Sequence, residues 1–244
     1  MKTLILGFLI TLGFYTTDKT YTEYDPIAVL ELFTSQGCSS CPSADNLLDR
    51  INKDYDDKNV FALSYHVSYW NYIGWKDPFS DPKHTNKQNA YARKFRSRSI
   101  YTPQLVINGK EHFVGSNETA MYSKVKEHLK IKTSNQIEII KTSRNSNNVN
   151  ISFKINGNTD ARQTQVILVL KGRQTQVKRG ENRNRTLKNS NIVVSEKFVP
   201  TSNQLAEISL DIPTYVGNEE KLQVIVLTKH DDLSITGASK STYF

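Results

Sequence analysis

The hexapeptide Gly37-Cys38-Ser39-Ser40-Cys41-Pro42 contains both cysteines of this 244-residue chain. It follows Ala28-Val29-Leu30-Glu31-Leu32-Phe33, an apolar run with the length of a buried strand. After it, apolar residues recur with the i, i+3, i+4, i+7 spacing of an amphipathic helix, at Ala44, Leu47, Leu48 and Ile51. The pattern predicts a strand at 27–33, a helix at 39–52, and both cysteines where the strand gives way to the helix.

This position favours redox chemistry. Unpaired backbone N–H groups and the positive end of the helix dipole favour the thiolate of Cys38 near a helix N-terminus. Two intervening residues allow Cys38 and Cys41 to close a small, reversible disulfide. The residues therefore predict a redox-active dithiol.

Other interpretations of the two cysteines stay open. A static disulfide would stabilise the fold weakly, because so short a loop removes little entropy from the unfolded chain. A zinc site needs more ligands than one cysteine pair, and the five histidines show no His-x₃₋₅-His spacing. Two thiolates suit Cu(I), but the only methionine besides the initiator is Met121. We therefore expect no metal and no cofactor.

The N-terminus has the pattern of an export signal. Met1-Lys2 is followed by an apolar run from Leu4 to Tyr15, which is shorter than the about 20 residues that span a bilayer. We assign residues 1–20 to a signal peptide, with an uncleaved N-terminal anchor as the alternative. The mature chain is predicted to have no transmembrane span and to be periplasmic or secreted, where a dithiol can operate.

The positive charge is concentrated in one segment. The chain carries a formal net charge of +8, and residues 141–197 hold 12 Lys and Arg against three Asp and Glu. We favour a solvated basic hairpin loop around Lys178-Arg179 and Arg183-Asn184-Arg185, with an anionic envelope partner as the alternative. No nucleic-acid partner is expected, because an export signal accompanies the charge and no nucleic-acid fold signature does.

The order of elements changes near residue 134. Residues 21–133 alternate strand and helix patterns, including a hairpin signal at Asn108-Gly109, and predict an α/β domain with an inserted aromatic and helical segment. Residues 134–244 contain short strands separated by Asn, Gly and Ser turns. They predict a small antiparallel all-β, sandwich-like domain.

Three motifs together resemble one known family. They are Glu31-Leu32-Phe33-Thr34-Ser35-Gln36-Gly37-Cys38-Ser39-Ser40-Cys41-Pro42, the His66-Val67-x-x-Trp70-x-Tyr72-x-Gly74-Trp75-x-Asp77-Pro78-Phe79 stretch, and Tyr101-Thr102-Pro103-Gln104. The chain resembles the exported, thioredoxin-like family catalogued as domain of unknown function twelve twenty-three, which also has a β-rich tail with the Arg179-Gly180-Glu181-Asn182 stretch. The resemblance implies a thioredoxin-like fold with Cys38 and Cys41 as the redox pair. It also implies a cis bond between Thr102 and Pro103, with Thr102 facing the disulfide, but it supplies no substrate.

The stretch 65–79 carries both tryptophans and His66. Its aromatic rings favour a packed structural cap, with a surface that grips a peptide or small thiol as the alternative. His66 is interpreted equally as a hydrogen-bonded core residue or as a group that moves protons near neutral pH.

The predicted function is an extracytoplasmic thiol–disulfide oxidoreductase that uses Cys38, Cys41, Thr102, Pro103 and His66. Its expected partners are protein or small-molecule thiols and disulfides. The alternative from another class is a non-catalytic cell-envelope binding protein on a thioredoxin scaffold.

Overall fold

A computed structural model describes residues 22–55, 59–158 and 163–244. In these ranges the α-helices are α1 (Cys41–Asp54), α2 (Pro82–Lys94) and α3 (Glu118–His128), and Asn71–Ile73 form a short 3-10 helix. The strands are β1 (Ala28–Thr34), β2 (Val60–His66), β3 (Gln104–Ile107), β4 (Glu111–Val114), β5 (Asn135–Arg144), β6 (Asn148–Gly157), β7 (Gln163–Gln176), β8 (Thr186–Pro200), β9 (Ala206–Asp211), β10 (Leu222–Lys229) and β11 (Ile235–Lys240). The predicted export segment lies outside the described residues. Among the described helices, none combines the length and the apolarity needed to cross a bilayer.

A large mixed sheet runs through the molecule in the order β11-β10-β7-β8-β2-β1-β3-β4. The central strands β1 and β2 pair in parallel, and β1 also pairs antiparallel with β3. The predicted hairpin is confirmed, because β3 and β4 pair antiparallel around Asn108 and Gly109, which both have positive φ. Cys38 therefore lies in the loop from a central, fully buried strand to α1, and Cys41 is the first residue of that helix.

The strands of the second half differ from the expected separate sandwich. Strands β7, β8, β10 and β11 continue the large sheet, joined to β2 through the parallel pairing of Ser64 with Ile192. Only β5, β6 and β9 form a separate, small antiparallel sheet in the described chain. Alternating apolar residues predict that strands exist but do not determine their partners, which is why the pattern fitted a sandwich. The predicted domain limits, 21–133 and 134–244, stay a prediction.

Buried apolar clusters cover both faces of the large sheet. On one face, α1 and α3 pack on β1, β2 and β3 through residues such as Leu47, Leu48 and Val125. The other face joins the two halves of the chain, because Phe33 and Leu63 share a cluster with Ile167, Val193 and Ile225. A third cluster fills the space between the small sheet and β7, β8 and β10. This packing fixes β8 and the loop before it close to the cysteine turn.

Candidate functional site

The two cysteines form a disulfide in the turn that leads into α1. The backbone N–H of Cys41 donates to the carbonyl of Cys38 at 3.3 Å, and Pro42 lies in the first turn of the helix, where its missing N–H costs nothing. Helix α1 thus begins at Cys41, two residues later than predicted. Both cysteines are buried, with 1% of Cys38 and 0% of Cys41 exposed. Exposure therefore does not distinguish Cys38 from Cys41 in the oxidised protein.

Thr102, which precedes Pro103, lies beside the disulfide. Their peptide bond is cis, as predicted. The Thr102 carbonyl oxygen lies 4.0 Å from Sγ of Cys38, and the indole Nε1 of Trp70 donates to Oγ1 of Thr102 at 2.7 Å. The structure therefore places Thr102 next to Cys38. The sequence had predicted both as site residues, from segments far apart in the chain.

His66 ends β2 and is fully buried in an ion pair with Asp77. Its Nδ1 lies 2.7 Å from Oδ2 of Asp77, which also accepts the backbone N–H of Gln36 at 2.8 Å. Burial alone would lower the pKa of His66, but Asp77 and, more weakly, Asp45 raise it above the ordinary value. Burial likewise opposes the charge of Asp77, yet His66 and two backbone N–H groups hold its pKa low. His66 is thus a buried, hydrogen-bonded residue with a raised pKa, and its Nε2 has no partner among the described residues.

A second buried acid, Asp45, lies on α1. It lies four residues after Cys41, so both side chains share one face of α1. Its Oδ2 accepts a hydrogen bond from Oγ1 of Thr34 at 3.2 Å, and the side chain of Asn189 also interacts favourably with the ionised carboxylate. Desolvation by burial raises the pKa of Asp45 to about 7, although the His66 charge and Thr34 oppose that shift. Asp45 can therefore gain or lose a proton near neutral pH inside the protein.

The basic segment closes over the disulfide from the other side. We call residues 177–185, between β7 and β8, the basic loop. The buried amide of Asn182 donates to the carbonyls of Gln36 and Cys38 at 3.0 and 2.9 Å. Oε2 of Glu181 accepts the backbone N–H of Ser39 at 3.0 Å. The segment that the sequence favoured as a solvated loop is thus partly buried and contacts the cysteine turn.

The aromatic stretch is mostly packed, with one exposed ring. We call residues 67–81, between β2 and α2, the aromatic loop. Trp70 and Trp75 are half-buried, and Nε1 of Trp75 donates to Oε1 of Gln36 at 3.2 Å, whereas Phe79 is buried. Tyr72, in contrast, is 84% exposed. Most rings therefore pack as a cap, and one stands free at the surface.

Comparison with known proteins places the chain in a family. The profile of a family described as protein of unknown function (DUF1223) matches residues 29–229. The chain belongs to the DUF1223 family. The comparison with curated proteins found no match.

One solved structure of similar fold covers nearly the whole chain. It is the X-ray crystal structure of protein AGR_C_4864 from Agrobacterium tumefaciens, which is 26% identical with a TM-score of 0.64, over 88% of this chain and 94% of that chain. A beta-glucosidase from Kluyveromyces marxianus in complex with glucose is 13% identical over 47% of this chain and 15% of that chain. Its TM-score of 0.23 is too low to indicate a shared fold.

Several residues of this DUF1223 site were not selected from the sequence. Asp77 and Asn182 lie inside the quoted family motifs. Those motifs indicated the family but did not indicate that these two side chains contact the site. Gln36 also lies in a motif, and its side chain links the aromatic loop to Asn189 of β8. Asp45 had no signal beyond its position four residues after Cys41. Its importance comes from burial, which a sequence does not show.

Proposed function

We propose that this DUF1223 protein is an extracytoplasmic thiol–disulfide oxidoreductase with a thioredoxin-like arrangement of its first half. The observation that carries the proposal is the Cys38–Cys41 disulfide in the turn into α1, with the Thr102 carbonyl 4.0 Å from Sγ of Cys38. The β1-α1-β2 unit, the β3–β4 hairpin and α3 support the fold assignment. The N-terminal sequence pattern supports export from the cytoplasm.

The reaction transfers two electrons between dithiol and disulfide. In the reduced protein, the Cys38 thiolate attacks one sulfur of a substrate disulfide and forms a mixed disulfide, and the first substrate thiolate leaves and takes a proton from water. The Cys41 thiol then loses its proton and attacks Sγ of Cys38, which releases the second substrate thiolate. The protein is oxidised to the Cys38–Cys41 disulfide, and the reverse sequence donates a disulfide.

Asp45 is the group in this proposal that takes the proton of Cys41. It lies one helical turn from Cys41, and burial raises its pKa to about 7. A general base is most effective when its pKa lies near the working pH. The buried His66 favours the ionised form of Asp45, and its partner Asp77 opposes that effect.

A static disulfide is the second candidate, and the burial of both sulfurs favours it. Asn182 covers the carbonyl of Cys38, and neither sulfur is more than marginally exposed. Such a disulfide would hold the cysteine turn against the basic loop and would exchange only when that loop opens.

Disulfide exchange kinetics separate the two candidates. Reduced protein is mixed with hydroxyethyl disulfide, a neutral substrate, and oxidation is followed by quenched-flow alkylation and mass spectrometry. We expect stoichiometric oxidation of wild type, no turnover with Cys38→Ser, and a trapped mixed disulfide on Cys38 with Cys41→Ser.

The role of Asp45 is tested in the same assay. Asp45→Asn is expected to slow resolution of the mixed disulfide by about 100-fold at pH 7, while the first attack by Cys38 keeps its rate. Asp49→Asn, one turn further along α1, is the matched control and should leave both steps unchanged. If wild type reacts no faster than its unfolded chain, the disulfide is static and the proposed function is wrong.

A further inference from the structure

The basic loop carries positive charge that the described chain does not neutralise. Its exposed side chains include Lys178, Arg179 and Arg183, and none of these forms an ion pair with another described residue. Glu181 is the loop's single acidic residue, and it is engaged by the backbone of Ser39. The loop therefore presents excess positive charge to solvent.

Hydrogen bonds hold the basic loop beside the disulfide; we call the surface formed by this loop and Tyr72 the rim. Asn182 anchors the middle of the loop to the Cys38 carbonyl, and the amide is further held by Nη1 of Arg185, which donates to its Oδ1 at 2.7 Å. The flanking residues Arg179 and Arg183 are three positions or fewer from this anchor. Their charges are thus tied to the cysteine turn by buried hydrogen bonds rather than by an independent domain.

Aromatic surface adjoins the same rim. Gly180 has a φ of +74° and packs so closely on the aromatic loop that a Cβ there would lie 3.3 Å from Cβ of Trp75. The exposed ring of Tyr72 belongs to that loop, which also carries the exposed Lys76. The rim therefore combines positive charge with one free aromatic ring, a composition that suits a polypeptide more than a small neutral thiol.

We infer that the rim formed by the basic loop and Tyr72 selects polypeptides with acidic residues beside the cysteine that exchanges with Cys38. This inference rests on the proposed function for the exchange step and adds its substrate class. The Arg179 and Arg183 guanidinium groups pair with carboxylates of the incoming segment, and Tyr72 packs against an apolar side chain of that segment. Charge pairs at an exposed rim act mainly on the association rate and weaken with salt.

The test measures the rates at which the same protein reacts with three disulfide substrates. Two peptides have the same cysteine spacing, one with Asp and Glu flanks and one with Lys flanks, and hydroxyethyl disulfide serves as the neutral reference. At low salt we expect the acidic peptide to react with a second-order rate constant at least about ten-fold above that of the basic one. That preference should shrink at 0.5 M salt, while the neutral reference stays constant.

Variants assign the preference to the rim. Arg179→Gln/Arg183→Gln should lower the rate for the acidic peptide by about ten-fold and leave hydroxyethyl disulfide unaffected. Lys126→Gln/Lys130→Gln removes the same charge from exposed positions on or directly after α3, and should keep the preference. Equal rates for both peptides with wild type would overturn the inference while leaving disulfide exchange intact.

A binding measurement separates this inference from the proposed function. Fluorescence anisotropy follows the serine versions of both peptides with the oxidised protein, so that no exchange occurs. Tighter binding of the acidic peptide by about ten-fold supports the rim as an acidic-peptide site even if no disulfide exchanges. Equal affinity for the two serine peptides would show that the rim does not select charge.

Discussion

Replacing Asp45 by Asn is expected to stabilise the oxidised protein at pH 8 and to have little effect at pH 4. Burial raises the folded-state pKa of Asp45 to about 7, whereas an unfolded Asp titrates near pH 3.9. The folded state thus binds more protons than the unfolded state between these values, and stability falls as the pH rises through this window. Asn carries no charge, so Asp45→Asn removes this loss of stability at high pH.

The size of the effect follows from the shift. A difference of roughly three pKa units, which already includes the attraction to His66, corresponds to about 4 kcal/mol of unfolding free energy at pH 8. For a chain of this length 1 kcal/mol moves Tm by about 2–4 °C, so we expect Asp45→Asn to melt roughly 10 °C higher at pH 8. The difference should shrink steadily as the pH falls from 7 to 4.

Calorimetry of the oxidised protein measures this difference without titrating thiols. Asp49→Asn on the same helix is the control, because Lys53 and Lys188 hold the pKa of Asp49 low despite the opposing effect of burial. That variant is expected to melt slightly lower than wild type at pH 8, the opposite sign. A Tm for Asp45→Asn that equals or falls below wild type at pH 8, or a difference independent of pH, would refute the assignment of a buried acid with a raised pKa.

Further predictions concern the basic loop and the shared sheet. Asn182→Ala leaves two backbone carbonyls without their donor, so Tm should fall by roughly 6–12 °C, against no change for the exposed Asn203→Ala. Its disulfide should also be reduced faster by dithiothreitol, and an unchanged Tm would mean that the loop does not hold the turn. Glu181→Gln removes a negative charge next to Ser39 and should speed alkylation of reduced Cys38 at pH 7 by about two- to five-fold, whereas slower alkylation would contradict this. Residues 134–244 expressed alone should lack a cooperative melt by circular dichroism, because their strands share a core with the first half, and a sharp melt would show independent folding.

The sequence determined the local features of the site because these depend on neighbouring residues. The apolar run at 28–33 and the helical spacing from Ala44 to Ile51 place Cys38 and Cys41 between a strand and a helix. Asn108-Gly109 required a tight turn, since both residues tolerate positive φ. The short apolar runs between Asn, Gly and Ser turns likewise indicated that the second half consists of strands.

Tertiary structure alone decided which distant segments meet. Alternation cannot show that β8 pairs with β2, and that pairing brings Asn182 against the Cys38 carbonyl across 144 positions of the chain. Nor can it show the burial that raises the pKa of Asp45 or the pairing of His66 with Asp77. Charge and hydrogen-bonding energies depend on the surroundings that the fold creates, and a linear sequence gives only the groups that will experience them.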